Sequence, residues 1–386
     1  MCSAAIDRRR SLTLLMGLAT TLLPARMARA AGESESRPGG PAYSPAEIPM
    51  FKDAAKARSE TIKRLMIQGD ITPPVSADEI VRILSHLAPQ FWIGPAAGGD
   101  ARSGATRFGG APDLPQGMGW PLRPIPDDAE KKIEELTTHS GWIARHVGRA
   151  LPFEFLAQID LSESASHAAA LGLPDHGRLL FFWDGVLGLA FEGPKACQVI
   201  WDRSPVEALA RPPVPQVMAE LEAAYDPSGT YKKPYVYPSR AMRLEPILHL
   251  PHAHTCEMLA DELLADRVSE LSFTLSYGQL LRGDTLMHKR SDSGARRQRL
   301  MGTPDPEQRD PRLHVIDKSD FPPGSWSAQT ARLAMQRGRE WQLLLQLDLG
   351  NLTQHDLVEG TVYFLIRRDD LARRNFANVH AVHQST

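Results

Sequence analysis

Two short polar motifs recur far apart in the chain. Gln158 and Asp160 stand two residues apart in an apolar run, and Gln346 and Asp348 repeat the arrangement. In a β-strand this spacing places both side chains on one face. The four side chains could line a cleft shared by two halves, and paired carboxylates could act as general acid and base. Alternatively, each aspartate ends its strand and accepts hydrogen bonds from nearby backbone N–H groups.

Histidines and a cysteine form a second group with possible chemistry. His252, His254 and Cys256 would share one face of an extended segment, and imidazole with thiolate suits zinc. Pro251 interrupts that segment, and the spacing matches no familiar zinc module. A loop with surface histidines is therefore the simpler interpretation, and no cofactor is predicted.

Motifs of the common catalytic classes are absent from the sequence. It contains no Gly-x-Ser-x-Gly, Ser-x-x-Lys, His-Glu-x-x-His, Gly-x-Gly-x-x-Gly or Gly-Lys-Ser/Thr. Familiar serine hydrolase, zinc protease, dinucleotide and phosphate-loop mechanisms therefore lose support.

The polar motifs sit in a pattern of elements that occurs twice. Each pair of predicted strands follows a predicted helix, and the second strand of each pair starts at a glycine. Such self-similarity predicts an internal repeat, with two similar halves about a pseudo-twofold axis. The helices are predicted over 129–147 and 328–339, and the strands over 155–161, 177–183, 343–349 and 360–366. Outside the repeat, a further helix is predicted over 258–271.

Composition limits the possible function classes. The chain has 386 residues, 42% of them hydrophobic and 23% charged, and its formal net charge is −2. These values are typical of a globular protein and exclude a coiled coil, a collagen-like fibre and a wholly disordered chain. Nucleic-acid-binding proteins usually carry a strong basic excess, so no nucleic-acid partner is predicted.

The N-terminus has the features of a secretory signal peptide. Arginines at positions 8–10 precede an apolar run over 12–23, and Ala28 and Ala30 form a small-residue cleavage pattern. Paired arginines before the run are typical of the twin-arginine type. The run is shorter than the ~20 residues of a membrane span, which argues against an uncleaved anchor. We predict a bacterial periplasmic or secreted protein, with no membrane span after signal removal.

Export would change both the charge and the cysteine chemistry. Removal of residues 1–30 takes away five arginines and one aspartate, which changes the net charge from −2 to −6. It also leaves Cys197 and Cys256 in a compartment where a disulfide can persist. One bridge between them is possible; the alternative is two buried free thiols.

Turn residues and helix-start signals divide the chain. Ser76 and Glu79 form a capping box that starts a helix, and prolines are concentrated between the two similar halves. The predicted divisions are a signal peptide (1–30), a flexible tether (31–43), a helical extension (44–91), a first half (92–202), a proline-rich connection (203–247) and a second half (248–386).

Taken in order, the motifs from about Arg107 to the C-terminus resemble the YwqG-like family, a bacterial domain of unknown function. The resemblance implies an α+β fold with antiparallel sheets and no established reaction. Family members usually carry a second Gly-Gly-Tyr-Pro-like turn, and the corresponding stretch here, 277–284, lacks the Tyr-Pro. The matching residues are Phe108-Gly109-Gly110-x-Pro112-x-Leu114-Pro115, Trp120-Pro121, 155–161, Gly177-x-Leu179-x-Phe181-Phe182, Leu345-Gln346-Leu347-Asp348, Phe364-Leu365-Ile366-Arg367-x-Asp369-Asp370-Leu371 and Phe376-x-Asn378-Val379.

These observations predict an α+β protein: two similar halves with mainly antiparallel sheets and packed helices, plus an N-terminal helical extension. The leading functional hypothesis is a non-enzymatic periplasmic binding or protein-interaction module that uses a cleft between the halves, with an unidentified protein or small-molecule partner. One alternative is a hydrolase that uses Asp160, Asp348 or a histidine. Another is metal binding through His252, His254 and Cys256.

Overall fold

All four predicted strands belong to one large sheet. A computed structural model of the chain describes residues 76–97, 101–138, 141–185, 194–225, 235–249, 251–261, 263–267, 298–316, 327–353 and 360–385. In these ranges, helices pack with a mostly antiparallel, nearly closed sheet, which confirms the α+β class.

The main sheet has ten strands, in the order β12-β11-β10-β9-β1-β8-β2-β4-β5-β6, and β3 pairs separately with β7. The strands are β1 (Ala88–Pro95), β2 (Arg107–Phe108), β3 (Leu114–Pro115), β4 (Glu154–Asp160), β5 (Arg178–Trp183), β6 (Cys197–Asp202), β7 (Leu209–Ala210), β8 (Arg240–His249), β9 (Arg299–Leu300), β10 (Trp341–Asp348), β11 (Thr361–Arg367) and β12 (His380–Gln384). The described α-helices are α1 (Ala77–Ser85), α2 (Ala129–Thr137), α3 (Gly141–Val147), α4 (Ala168–Leu171), α5 (Gln216–Tyr225), α6 (Cys256–Leu259), α7 (Ala328–Gly338), α8 (Leu349–Thr353) and α9 (Arg368–Ala372).

Strands β1 and β8 form the centre of the main sheet. They pair antiparallel along the whole of β1, and each then pairs with a two-residue strand on its other side, β9 and β2 respectively. The predicted boundaries at 91/92 and 247/248 therefore fall inside central strands. Residues 88–91 and 240–247 belong to the sheet rather than to an extension or a connection, because their backbone groups complete its hydrogen-bonded ladder.

The sheet curls so that its two ends share one apolar core. Phe181 from one end and Phe364 from the other lie in the same buried cluster, and their rings meet edge to face with centroids 5.2 Å apart. The edge strands β6 and β12 approach each other where the Cys197 thiol donates to the Val379 carbonyl at 3.3 Å. Burial of apolar surface between the ends of the sheet is thus a main source of stability.

Glycine is required at the start of the two aromatic strands. Gly177 precedes β5 with φ of +78°, and Gly360 precedes β11 with φ of +94°. A Cβ atom would lie 2.5 Å from the Asp202 carbonyl oxygen at Gly177, and 2.4 Å from the Gln384 carbonyl oxygen at Gly360. Both the left-handed backbone and the close approach of a neighbouring chain therefore select glycine.

The predicted local elements are largely confirmed. The four predicted strands are found as β4, β5, β10 and β11, and the capping box of α1 forms, with Glu79 N–H donating to Ser76 Oγ at 3.2 Å and Ser76 N–H donating to Glu79 Oε2 at 2.6 Å. The helix predicted over 129–147 is two helices, α2 and α3. The helix predicted over 258–271 is wrong in its described part, which holds the one-turn α6 and a 3₁₀ turn at Ala265–Arg267. Between them, Asp261 accepts from the backbone N–H of Leu263 and favours a turn.

The two cysteines are not joined. Cys197 lies in β6 and Cys256 in α6, and both are buried free thiols. Of the two alternatives given by the sequence, the structure therefore shows the pair of buried free thiols and not the bridge. Each thiol behaves as a small apolar side chain, and burial raises the pKa of both.

Some predictions concern residues outside those that the structure describes. The signal peptide, the tether, the first part of the helical extension and the turn at 277–284 lie there. Across the described ranges, no helix is long and apolar enough to cross a membrane.

The central position of β1 predicts that its apolar side chains are essential for stability. Phe91 is 1% exposed and belongs to the shared core, so Phe91→Ala should lower the free energy of unfolding by about 3–5 kcal/mol. Val81, on α1, is 61% exposed, and Val81→Ala should change it by less than about 0.5 kcal/mol. Urea denaturation followed by tryptophan fluorescence would measure both. Equal, small effects would show that β1 is not part of the cooperative core.

Candidate functional site

Gln158 is part of a buried polar cluster beside the shared core. Its side chain is fully buried. Its Oε1 accepts from the Asp113 backbone N–H at 3.2 Å, while its Nε2 donates to the Ala105 carbonyl at 3.0 Å and to Asp113 Oδ2 at 3.1 Å. The amide thus fixes the chain that follows β2 and orients the Asp113 carboxylate.

The Asp113 carboxylate is surrounded by donors. Oδ1 lies 2.9 Å from Arg211 Nε and 3.4 Å from Arg107 Nη2, and Oδ2 accepts from the Gly104 N–H at 2.9 Å. Burial opposes ionisation, but the hydrogen bonds from Arg211, Gly104 and Gln158 and the charge of Arg107 hold the pKa of Asp113 below its usual value. Both carboxylate oxygens are therefore occupied in holding neighbouring segments of the chain together.

Arg107 is a buried cation in the same cluster. Its guanidinium is fully buried and lies over the Phe155 ring at 5.4 Å. Burial lowers the pKa of Arg107 to about 10; the Asp113 charge opposes this shift and the Arg211 charge adds to it. We call Arg107, Asp113 and Gln158 the first polar cluster.

A second polar cluster, formed by Arg299, Asp305 and Gln346, repeats the arginine–aspartate pair and the hydrogen bond from the aspartate N–H to the glutamine. Arg299 Nη2 lies 3.2 Å from Asp305 Oδ2, and the Asp305 N–H donates to Gln346 Oε1 at 2.9 Å. In both clusters the glutamine is opposite the arginine in the strand register. One chemical arrangement therefore occurs at two places in the sheet.

Sequence reasoning found the two glutamines but missed the arginines and the aspartates Asp113 and Asp305. A usable signal was present: Arg-x-x-Gly-x-Pro-Asp occurs at 107–113 and again at 299–305. In both copies two consecutive residues adopt positive φ, Gly109 and Gly110 at 62° and 72°, and Met301 and Gly302 at 66° and 82°. Methionine in place of the first glycine hides the second copy from a search for Gly-Gly.

The structure brings each glutamine to its own arginine and aspartate, and not to the other glutamine. Ala157 and Ile159 flank Gln158 in β4 and belong to the shared core, as do the neighbours of Gln346 in β10. Because successive strand residues point to opposite faces, both glutamines face away from that core. The two polar clusters therefore lie at separate places on the face of the curled sheet that points away from the core.

Asp160 and Asp348 end their strands at equivalent points. The Asp160 carboxylate accepts from the Ser162 N–H at 3.0 Å and caps a 3₁₀ turn, and its own N–H donates to Thr106 Oγ1 at 2.9 Å. The Asp348 N–H donates to Gln298 Oε1 at 3.0 Å. In each case the side chain that holds the strand end belongs to the residue just before the arginine of the cluster.

The candidate metal ligands His252, His254 and Cys256 lie in different surroundings. Cys256 is fully buried at the start of α6, and its N–H donates to Asp310 Oδ2 at 2.7 Å. His252 Nδ1 accepts from the His254 N–H at 3.2 Å, and the two rings lie 5.4 Å apart. In the part of the chain that the structure describes, no group of three or more His, Cys, Asp or Glu side chains is arranged to hold a metal ion.

A further buried ionic group lies next to Cys256. Arg312 is 1% exposed and is bound by Asp310, with Nε–Oδ1 at 2.9 Å, and by Glu257, with Nη1–Oε1 at 2.7 Å. Burial opposes ionisation of Glu257, but Arg312 lowers the pKa of that carboxyl to about 2. The charges are therefore paired inside the protein and join α6 to the segment that follows the second polar cluster.

Fold and clusters together define a class: α+β proteins with a nearly closed antiparallel sheet, in which buried Arg–Asp–Gln groups fix the loops that follow two short strands. The model of the family described as a domain of unknown function, DUF1963, matches residues 106–384. The chain belongs to this family, which confirms the resemblance stated from the motifs. No curated protein matches the chain. The matched range starts after β1, so the family model omits one of the two central strands.

The first polar cluster predicts a large difference between two aspartates. Asp113→Asn leaves Arg107 buried without its counter-charge and should lower the free energy of unfolding by on the order of 3 kcal/mol. Asp160→Asn should cost less than about 0.5 kcal/mol, because asparagine caps turns as well as aspartate does. Chemical denaturation at neutral pH would measure both. A larger loss for Asp160→Asn would contradict the structural role assigned to each carboxylate.

Proposed function

We propose that this protein is a non-enzymatic periplasmic binding or protein-interaction module. The proposal rests on one observation: the polar groups of the candidate site are already occupied by hydrogen bonds within the fold. The Asp113 carboxylate accepts hydrogen bonds from Gly104, Gln158 and Arg211 and forms an ion pair with Arg107. The Asp160 carboxylate accepts from the backbone of the turn that it caps. Groups held in this way serve as scaffold, whereas a general acid or base must be free to exchange a proton with substrate.

We also propose that the chain consists of two related halves around a pseudo-twofold axis. Strands β2, β4, β5 and β6 flank β8 in the same order as β9, β10, β11 and β12 flank β1. The ladders are irregular at matching points, between Phe155 and Ala157 in β4 and between Leu343 and Leu345 in β10. The two polar clusters and the repeated Arg-x-x-Gly-x-Pro-Asp motif support the same conclusion.

The packing between these halves bears on where a partner binds. Phe181 and Phe364 meet in the core that both halves share, so the interior between the halves is occupied by apolar side chains. A partner is therefore expected on the outer surface of the curled sheet or at its ends, rather than in a deep cleft between the halves.

Export is the remaining part of the proposal. It rests on the arginines at 8–10, the apolar run over 12–23 and the Ala28-x-Ala30 pattern. A cleaved, exported chain would carry a net charge of −6. This charge favours partners other than nucleic acids.

Export predicts that the arginines before the apolar run are required for translocation. Replacement of Arg8, Arg9 and Arg10 together by lysine keeps the charge and should leave the uncleaved precursor in the cytoplasm. Replacement of Arg26 and Arg29 by lysine, after the apolar run, is the matched control and should leave export intact. Cell fractionation with immunoblotting would detect both forms. Normal processing of the triple variant would rule out twin-arginine export.

The binding function predicts a specific partner in the periplasm. The mature chain, immobilised and exposed to periplasmic extract of the producing bacterium, should retain a component that soluble mature chain competes away. An unrelated periplasmic protein of similar charge is the control bait. Mass spectrometry of the eluate would identify proteins and small molecules. Retention of nothing beyond the control would overturn the proposal.

A further inference from the structure

One end of the second half carries a group of arginines around a single carboxylate. Arg337 Nη1 lies 2.9 Å from Glu340 Oε1, and Arg367 Nη2 lies 3.0 Å from Glu340 Oε2. Arg368 Nε donates to the Arg339 carbonyl at 2.9 Å. We call Arg337, Arg339, Arg367 and Arg368 the arginine surface; they lie where α7 and β11 end and where β10 and α9 begin.

Among the described residues of these elements, cations outnumber accessible carboxylates. Arg367 and Arg368 are exposed and the other two arginines are half-buried, while Glu340 and Asp369 are the accessible acids of the same elements. Asp370 is buried and paired with Arg373. The Glu257 carboxylate acts on Arg368 from the interior but is already bound by Arg312. The surface is therefore positive on a chain whose net charge is negative.

The side chains favour carboxylate as the partner group. Every Lys or Arg position in the described ranges 327–353 and 360–385 is an arginine. The planar guanidinium binds carboxylates through two parallel hydrogen bonds, which an ammonium group cannot do. Glu340 lies between Arg337 and Arg367, with one carboxylate oxygen bound to each guanidinium, so the surface already holds one carboxylate of its own.

The surroundings favour a polypeptide over a lipid surface. Membrane-surface binding combines basic residues with apolar side chains that enter the lipid boundary. The exposed large apolar side chains of the described residues lie elsewhere, at Val81, Met118, Leu122, Ile125, Val206, Val214 and Leu263. We propose that the arginine surface binds an acidic segment of a partner polypeptide, through its Asp and Glu carboxylates. This inference rests on the binding function proposed above and assigns a surface to it.

The test is binding of fluorescein-labelled decaglutamate to the full mature chain, measured by fluorescence anisotropy at low ionic strength. Arg367→Gln with Arg368→Gln should raise the Kd at least tenfold and weaken its dependence on salt, because fewer counter-charges remain. Arg367→Lys with Arg368→Lys keeps the charge and should still raise the Kd severalfold. Circular dichroism and the thermal midpoint would show that both variants remain folded.

Arg102→Gln with Arg203→Gln is the matched control, because both arginines are exposed and lie outside the second half. It makes the same change in net charge and should leave the Kd within twofold of wild type. Equal loss in the control and the test variant would overturn the surface assignment, as would unchanged binding in both. Binding to phosphatidylglycerol vesicles without binding to decaglutamate would also overturn it, in favour of a lipid surface.

Failure of this inference can be separated from failure of the proposed function. A partner retained equally by wild type and by the Arg367→Gln, Arg368→Gln variant would overturn the arginine surface and leave the binding function standing. Retention of no partner would overturn the binding function itself. A partner retained by wild type and lost with the double variant would support both.

Discussion

The antiparallel pairing of β1 with β8 is the interaction on which the rest of the sheet depends. Each strand carries on its far side a two-residue strand, and each of these pairs in turn with the first of three longer strands at one end of the sheet. The short strands β2 and β9 cannot position those longer strands unless the central ladder holds them. Strand β1 lies before the range of the DUF1963 match, so the family core in this chain is completed by a segment that precedes it.

The polar clusters carry out a second structural task beside that central ladder. Burial of a guanidinium is costly unless a carboxylate and further hydrogen bonds compensate it. Asp113 and Asp305 provide that charge for Arg107 and Arg299, and the opposed glutamine binds the backbone of each aspartate. Such geometry fixes one register for each loop, since a shift would leave buried charges unpaired. The most polar part of the interior thus makes the fold specific.

Because the interior groups hold the fold together, a binding function is expected at the surface of the protein. The core between the two ends of the sheet is apolar and occupied, and the polar groups on its outer sides are used in holding loops. The groups that remain available to bind a partner are exposed side chains at the ends of the helices and strands. The arginine surface is one such place, because Glu340 and the backbone hold its cations while Arg367 and Arg368 remain exposed to solvent. Pre-ordered cations of this kind lose less side-chain entropy when an anionic partner binds.

The sequence by itself determined the α+β class, the family, the four long strands β4, β5, β10 and β11, and the capping box at Ser76. These follow from local pattern: alternation and apolar runs, glycine at positive φ, and reciprocal side-chain capping. Only the tertiary structure decided that residues 88–91 and 240–247 form the centre of the sheet, that Cys197 and Cys256 stay apart, and that Gln158 and Gln346 bind separate Arg–Asp pairs. All three depend on contacts between segments that are distant in the chain. These contacts decide which strands pair, how close the two cysteines lie and which groups bind the buried glutamine amides. Spacing along the chain fixes the face of a strand, but the curl of the whole sheet decides what that face meets.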